Sequence, residues 1–401
     1  MRRVVITGVG PVSNIGIGVP AFTEGLRCGR SGISAITGFD ASGFPRRLAG
    51  EVKDFDGVGL VRALDLRQWG RSSLLATAAA RLAVEDGGAD GEMLVAQGCG
   101  VVIGTTSGES QIVDQFGECV AREGHHRMGA PAARKLPAAR LSAAVSEEFG
   151  LCGESVTIAT ACAAGNYALG HAFDAIAAGR ADFMLAGGAD SVCRWAHAGF
   201  VRLGAVAETV CAPFDRDRTG ILTAEGGAML LLESAESAEA RGARVYAEIL
   251  GYGLNCDAAH MVAPNAASIA ACMRLAHRRA GITPDEIEYV CTHGTGTPAN
   301  DRTEVAALRE VFGAQVPPIS SIKSMLGHTM GAASAFGAIA CALAISAGFL
   351  PPTINWRTAD PELTDIDPVP NYARPQRVRM AQNDSFAFGG NNAIVILAEA
   401  L

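Results

Sequence analysis

From Gly331 to Leu350 the chain runs for twenty residues without a charge, GAASAFGAIACALAISAGFL. That is the nominal length of a membrane-spanning helix. Yet alanine, glycine and serine dominate it, Pro351 and Pro352 end it abruptly, and no aromatic or basic belt flanks it. The run therefore predicts a helix buried in a large core. An earlier stretch resembles it: Cys162–Gly179 reads CAAGNYALGHAFDAIAAG. Ala163, Ala164, Tyr167, Ala175, Ile176, Ala178 and Gly179 match Ala332, Ala333, Phe336, Ala344, Ile345, Ala347 and Gly348 at a constant offset of 169 (332 minus 163). Two related halves, each built round a small-residue helix, explain the repeat.

The rest of the chain fits that plan. Short apolar runs at Val4–Thr7, Gly100–Ile103, Ser155–Ile158, Phe183–Ala186, Ala228–Leu232, Val245–Gly251, Tyr289–Cys291 and Ala393–Leu397 read as strands. They alternate with helical stretches such as Arg71–Asp86 and Ile269–Ala280, the mark of parallel α/β units. The seam between the halves is expected near Gly251, giving segments 1–250 and 251–401. With 401 residues, 49% hydrophobic and 18% charged, the chain can bury a sizeable core. A net charge of -8 offers no basic field for nucleic acid. Eleven cysteines without paired C-x-x-C spacing give no zinc pattern and point to a reducing, cytoplasmic setting. The opening MRRVVITGVG reads as a first strand and turn, not an export signal.

Three segments carry chemistry: Ala159–Gly165 (ATACAAG), His293–Pro298 (HGTGTP) and Lys323–His328 (KSMLGH). Cys162 falls where a strand gives way to a helix. Unpaired backbone N–H groups there favour thiolate. An ordinary thiol is about 3% ionised at neutral pH, and a pKa near 7 would make that half. Its neighbours Ala161, Ala163, Ala164 and Gly165 leave room for a carbonyl. Small core residue is the plain reading of the other cysteines. His293 and His328 each end an apolar run and precede small residues, at strand ends that converge on a ligand crevice. One such histidine could be a satisfied buried donor; two beside a reactive thiol suggest acyl transfer and carbanion chemistry. No acid pattern beside them resembles a metal triad.

Together these segments resemble those of the elongating, type II β-ketoacyl-[acyl carrier protein] synthases, among the thiolase-fold condensing enzymes. Thr7–Gly10, Pro213–Gly227 (PFDRDRTGILTAEGG), the run from His293 to Glu304, and Asp384–Asn392 (DSFAFGGNN) lie in the matching order, so the resemblance spans essentially the whole chain. It implies an α/β, thiolase-like fold of two pseudo-duplicated βαβαβαββ halves in a five-layer αβαβα sandwich. It also implies decarboxylative condensation of malonyl-carrier protein with an acyl chain held on Cys162. His293 and His328 would support decarboxylation. Lys323 would set the electrostatics around His328, with Glu304 as its partner. Thr295 and Thr297 would hold the pantetheine arm. Phe388 would gate the acyl tunnel, and its N–H with that of Cys162 would form the oxyanion hole. Phe386, Gly389 and Gly390 complete that loop.

The resemblance further implies no resident cofactor and no metal, the 4'-phosphopantetheine arriving on an acyl carrier protein. Carrier proteins are acidic, which makes Arg62, Arg67 and Arg71 candidate contacts, equally readable as solvated helix charges. A dimer is implied, with itself or with a related, catalytically silent subunit, and no membrane partner. Departures from the family pattern fall at Thr292 (usually alanine), Ala224 and Ala387 (usually glycine), Gly337 (usually glutamate) and Asn391 (usually threonine). None removes a catalytic group; Ala387 should stiffen the gate loop, and together they suggest a specialised synthase. Two alternatives stand beside this reading. A chain-length-controlling partner subunit would typically lack Cys162. A thiolase acting on CoA thioesters would want a second cysteine in place of the Lys323–His328 arrangement.

Overall fold

The computed structural model describes residues 1–53, 55–127 and 129–400. Its ten principal strands fall into two sets of five. The first comprises β1 (Val4–Ser13), β2 (Gly100–Gly104), β3 (Ser155–Ile158), β4 (Phe183–Asp190) and β5 (Gly226–Ser234). The second comprises β6 (Ala247–Cys256), β7 (Tyr289–Cys291), β8 (Ile319–Ser320), β9 (Met380–Phe386) and β10 (Asn391–Ala398). The first set is ordered β3-β2-β4-β5-β1 and the second β8-β7-β9-β10-β6. In both, the first three strands are parallel and the last two antiparallel to their neighbours. Strand for strand, the two halves share one topology. They join where Val4–Ile6 pairs antiparallel with Ala247–Ile249.

Helices α1 (Arg71–Asp86) and α2 (Arg140–Phe149) cover the outer face of the first sheet. On the outer face of the second lie α5 (Ala266–Ala280) and α6 (Pro298–Phe312). Between the sheets sit α3 (Ala164–Ala177) and α7 (Ala333–Ala347), packed on each other and on strands of both halves. Five layers result, and the sheets approach closely because the middle helices are built of small residues. Every residue of α7 from Ala333 to Ile345 is buried. The stretch Met330–Ala347 has the length and hydropathy of a membrane span, yet is 89% buried inside the protein. The expectation of a central core helix therefore holds.

The loop before Ala247 lies within ten residues of the seam expected near Gly251. Strand β8 falls in the run expected before His328 but ends at Ser320, and a helical turn at Lys323–Leu326 intervenes. Strand β9 was not expected, because it reads MAQNDSF, without an apolar run. From Ala381 to Phe386 β9 is nonetheless buried, and two of its polar side chains reach across the seam. Asn383 donates to Asn166 Oδ1 and to the Ser334 carbonyl, both at 2.8 Å. Ser385 donates to the Cys162 carbonyl at 2.8 Å.

At the crossing of α3 and α7, a Cβ added to Gly165 would lie 2.7 Å from the backbone nitrogen of Ala335. Glycine alone permits that approach. Gly165→Ala should therefore destabilise the protein by about 1–3 kcal/mol, read as a lower midpoint in denaturant unfolding. An unchanged midpoint would mean that the helices do not meet there.

Candidate active site

The site forms where the N-termini of α3 and α7 come together. Cys162 lies in the tight turn Ala161–Ala163 that leads into α3. Ala161 before it is held at φ 49, in the left-handed region. His328 stands just before the turn Met330–Ala332 that leads into α7. His293 follows β7 at the start of the HGTGTP loop. All three line one cavity of ≈ 340 Å³ together with Phe200, Phe386 and Phe388. The imidazoles of His293 and His328 meet edge to face, centroids 5.6 Å apart. Phe386 packs its ring 5.5 Å from that of His293, and Phe388 lies 5.6 Å from Phe200 of helix α4 (Arg194–Arg202). Thr295 and Thr297 also line the cavity, their hydroxyls 2.9 Å apart. Gly389 and Gly390 follow Phe388 at φ 91 and 82, a conformation glycine tolerates.

Electrostatics inside the cavity follow from burial. Desolvation pushes the Cys162 thiol up to about 11; the Lys323 ammonium and the nearby N–H groups of Phe388 and Cys162 pull it back. Helix-terminus polarity was expected to favour thiolate, and here burial outweighs it. Cys162 rests as a thiol. Both imidazoles are held well below the ordinary histidine value, first by burial and then by Lys323. At neutral pH they are uncharged. The N–H of Met330 donates to His328 Nδ1 at 3.1 Å, so Nε2 carries the ring proton.

Lys323 and Glu304 depart from expectation. They form no direct ion pair. Lys323 Nζ donates to the His293 carbonyl at 2.6 Å. Glu304, pushed up to about 7 chiefly by burial, accepts the N–H groups of His293 and Gly294, each at 2.7 Å. Both groups grip the backbone of one residue, His293, and the Lys323 charge reaches both imidazoles through space. Asp301, missed in the sequence, accepts the N–H of Phe214 at 2.8 Å and of Gly296 at 3.2 Å, which ties down the same loop.

The three arginines have acidic partners within the chain. Arg71 is held by Glu225 at 2.7 Å, with Glu225 itself buried, so Arg71 serves the interior. Arg62 pairs with Glu85 in the last turn of α1. Arg67 is exposed but chelated by Asp65 two residues away. None lines the cavity of its own chain. The segment after β6, with Asp257, His260 and Met261, also lines the cavity and carried no sequence signal beyond its irregularity.

The departures now have causes. At Gly337 an added Cβ would fall 2.2 Å from Asn383 Oδ1, because that amide fills the space. Thr292 donates to the Ser320 carbonyl at 3.0 Å and steadies the strand end before His293. Ala387 is not among the residues held at positive φ and fits its turn without strain. Among the described residues no group of three or more His, Cys, Asp or Glu is placed to hold a metal ion.

Comparison with known proteins agrees over the full length. The family model of the β-ketoacyl synthase N-terminal domain matches residues 1–238, and that of the C-terminal domain residues 246–357. Nodulation protein E of Rhizobium sp. (strain N33) is 38% identical over 402 residues, 98% of each chain. The 3-oxoacyl-[acyl-carrier-protein] synthase 2 of Coxiella burnetii is 37% identical over 99% of this chain and 98% of its own. Among solved structures, the ishigamide ketosynthase/chain length factor is 50% identical, with a TM-score of 0.98 and full coverage of both chains. A type II PKS acyl-carrier protein in complex with its ketosynthase, bound to the hexaketide, matches at 31% identity and TM-score 0.90, again over both full chains.

Because the Cys162 pKa is raised, thiolate should increase with pH well past neutrality. Alkylation of Cys162 by iodoacetamide should therefore accelerate about 100-fold between pH 7 and pH 9. A rate that levels off below pH 8 would show that the thiol ionises early and that burial does not dominate.

Proposed function

The chain belongs to the β-ketoacyl synthase family as an elongating ketosynthase, an acyltransferase, and on that footing we propose how its residues carry the reaction. An acyl chain arrives as a thioester on the phosphopantetheine of a carrier protein, and the enzyme needs no cofactor of its own. Cys162 attacks the carbonyl as thiolate. The tetrahedral oxyanion accepts hydrogen bonds from the N–H groups of Cys162 and Phe388. Pantetheine sulfur leaves and takes up the proton that Cys162 released. Malonyl-carrier protein then enters the same channel, with Thr295 and Thr297 on its pantetheine arm.

Loss of carbon dioxide breaks one carbon–carbon bond and leaves its electron pair as an enolate. His293 and His328 donate Nε2–H to the enolate oxygen. Being neutral they are weak acids, so they stabilise that charge without quenching the carbanion. The enolate carbon attacks the acyl carbonyl, Cys162 leaves as thiolate, and a β-ketoacyl chain two carbons longer departs on the carrier. Lys323 supports this by holding the His293 carbonyl and keeping both imidazoles uncharged. The observation that carries this reading is the common cavity of Cys162, His293 and His328.

The pathway we favour is type II polyketide elongation in the cytoplasm, in a heterodimer with a related subunit that lacks the nucleophile. Identity of 50% to a chain of the ishigamide ketosynthase/chain length factor, over both full lengths, supports it. Fatty-acid elongation as a homodimer is the other outcome. Intact-mass measurement decides between them: acylation from an acyl-carrier protein that appears only with a cysteine-free homologue present indicates the heterodimer. Acylation by the chain alone, at the same rate, indicates the homodimer.

Two variants test the roles. Cys162→Ala should form no acyl adduct while still releasing carbon dioxide from malonyl-carrier protein. A normal adduct in that variant would remove Cys162 from its role. His328→Ala should slow decarboxylation about 100- to 1000-fold, and unchanged release of carbon dioxide would exclude it as a donor to the enolate.

A further inference from the structure

Asp190, the last residue of β4, is buried and lies outside the catalytic set described above. Its carboxylate accepts four hydrogen bonds. From the first half come the Thr105 hydroxyl at 2.7 Å and the N–H groups of Thr106 at 2.7 Å and Ser107 at 3.2 Å. The fourth comes from the second half, the N–H of Gly331 at 2.7 Å. Burial pushes Asp190 up to about 6 while these donors pull it down, leaving it largely ionised at neutral pH as an acceptor for all four.

The contact with Gly331 is singular because of what precedes it. Met330 is held at φ 52, the left-handed region that a side chain disfavours. In that conformation its N–H meets His328 Nδ1 at 3.1 Å. No side chain fits at Gly331, where a Cβ would lie 2.4 Å from Thr105 Cα. Asp190 also opposes ionisation of Cys162. Its charge therefore works against the nucleophile, and its bonds work on the segment that carries the imidazole.

We infer that Asp190 is a positioning residue for His328: its carboxylate pins the Met330–Gly331 turn, and the N–H of Met330 in that turn fixes the imidazole with Nδ1 accepting and Nε2–H facing the cavity. The inference rests on the reading of His328 as a donor to the enolate. Without the pin, Met330 relaxes to negative φ, its N–H turns away, and His328 samples both tautomers. Only one of them can donate into the cavity through Nε2.

The test is Asp190→Ala, which removes both acceptor oxygens, including the Oδ2 that Thr106 and Gly331 share. Three readouts are taken: carbon dioxide release from malonyl-carrier protein, acylation of Cys162 by intact mass, and the nitrogen shifts of His328 by NMR. Wild-type should show unprotonated Nδ1 and protonated Nε2. The variant should show a tautomer mixture and about a 100-fold loss of decarboxylation, with acylation reduced less than about three-fold. Asp190→Glu, which keeps both acceptor oxygens, should recover part of the decarboxylation rate.

An unaltered tautomer in Asp190→Ala, or acylation and decarboxylation falling by one common factor, would overturn the inference. If that variant does not fold, Thr105→Val removes a single bond to Asp190 and is read the same way. A tautomer mixture with about a five-fold slower decarboxylation supports the inference, and a wild-type spectrum and rate overturn it. Wild-type acylation and decarboxylation, measured alongside, test the ketosynthase reading separately.

Discussion

The close crossing of α3 and α7 is the constraint on which the site depends. Gly165 lets the two helices approach until backbone meets backbone, and Ser334 Oγ then accepts the N–H of Asn166 at 2.9 Å. Each helix is preceded by a short turn that carries chemistry: Cys162 before one, His328 and Met330 before the other. Bringing the helices together therefore brings a nucleophile from the first half against an imidazole from the second. His293 is added by the loop after β7, which Glu304 and Lys323 hold by its backbone. A larger residue at the crossing would separate the halves and dissolve the cavity.

Placing the site at a seam between two sheets has an electrostatic consequence. Water is excluded, so charged forms are penalised: the thiol is raised, both imidazoles are lowered, and Lys323 is lowered by burial. The cavity thus holds neutral donors and a single nearby cation. That suits a reaction whose intermediates are anions, because hydrogen-bond donors fixed in a dry site stabilise developing charge without reorganising. It also means that the nucleophile is ionised only in part at rest. Substrate arrival, which adds an acceptor for the proton and completes the oxyanion hole, has to supply the rest.

Much of this was legible in the sequence. The repeat at an offset of 169 foretold two halves, and both helices in it proved central. Cys162, His293 and His328 could be named from their small neighbours and strand-end positions, and the structure gathers them in one cavity. What stayed hidden was polar and non-local. Strand β9 carries Gln382, Asn383, Asp384 and Ser385, which read as a loop until Asn383 and Ser385 find partners 49 to 223 positions away. Arg71 looked like a surface charge because its partner Glu225 lies 154 residues on. Glu304 looked like the partner of Lys323, but two backbone donors only ten and eleven residues away claim it. Pattern locates apolar faces and reactive turns; it does not locate a buried acceptor whose donor belongs to the other half.

The most direct test is a crystal structure of the acyl-enzyme formed from an acyl-carrier protein. The acyl carbonyl oxygen should sit about 3 Å from the N–H groups of both Cys162 and Phe388, with the imidazoles of His293 and His328 facing the same void. An acyl group borne by another residue, or either imidazole turned into a separate cavity, would contradict the account.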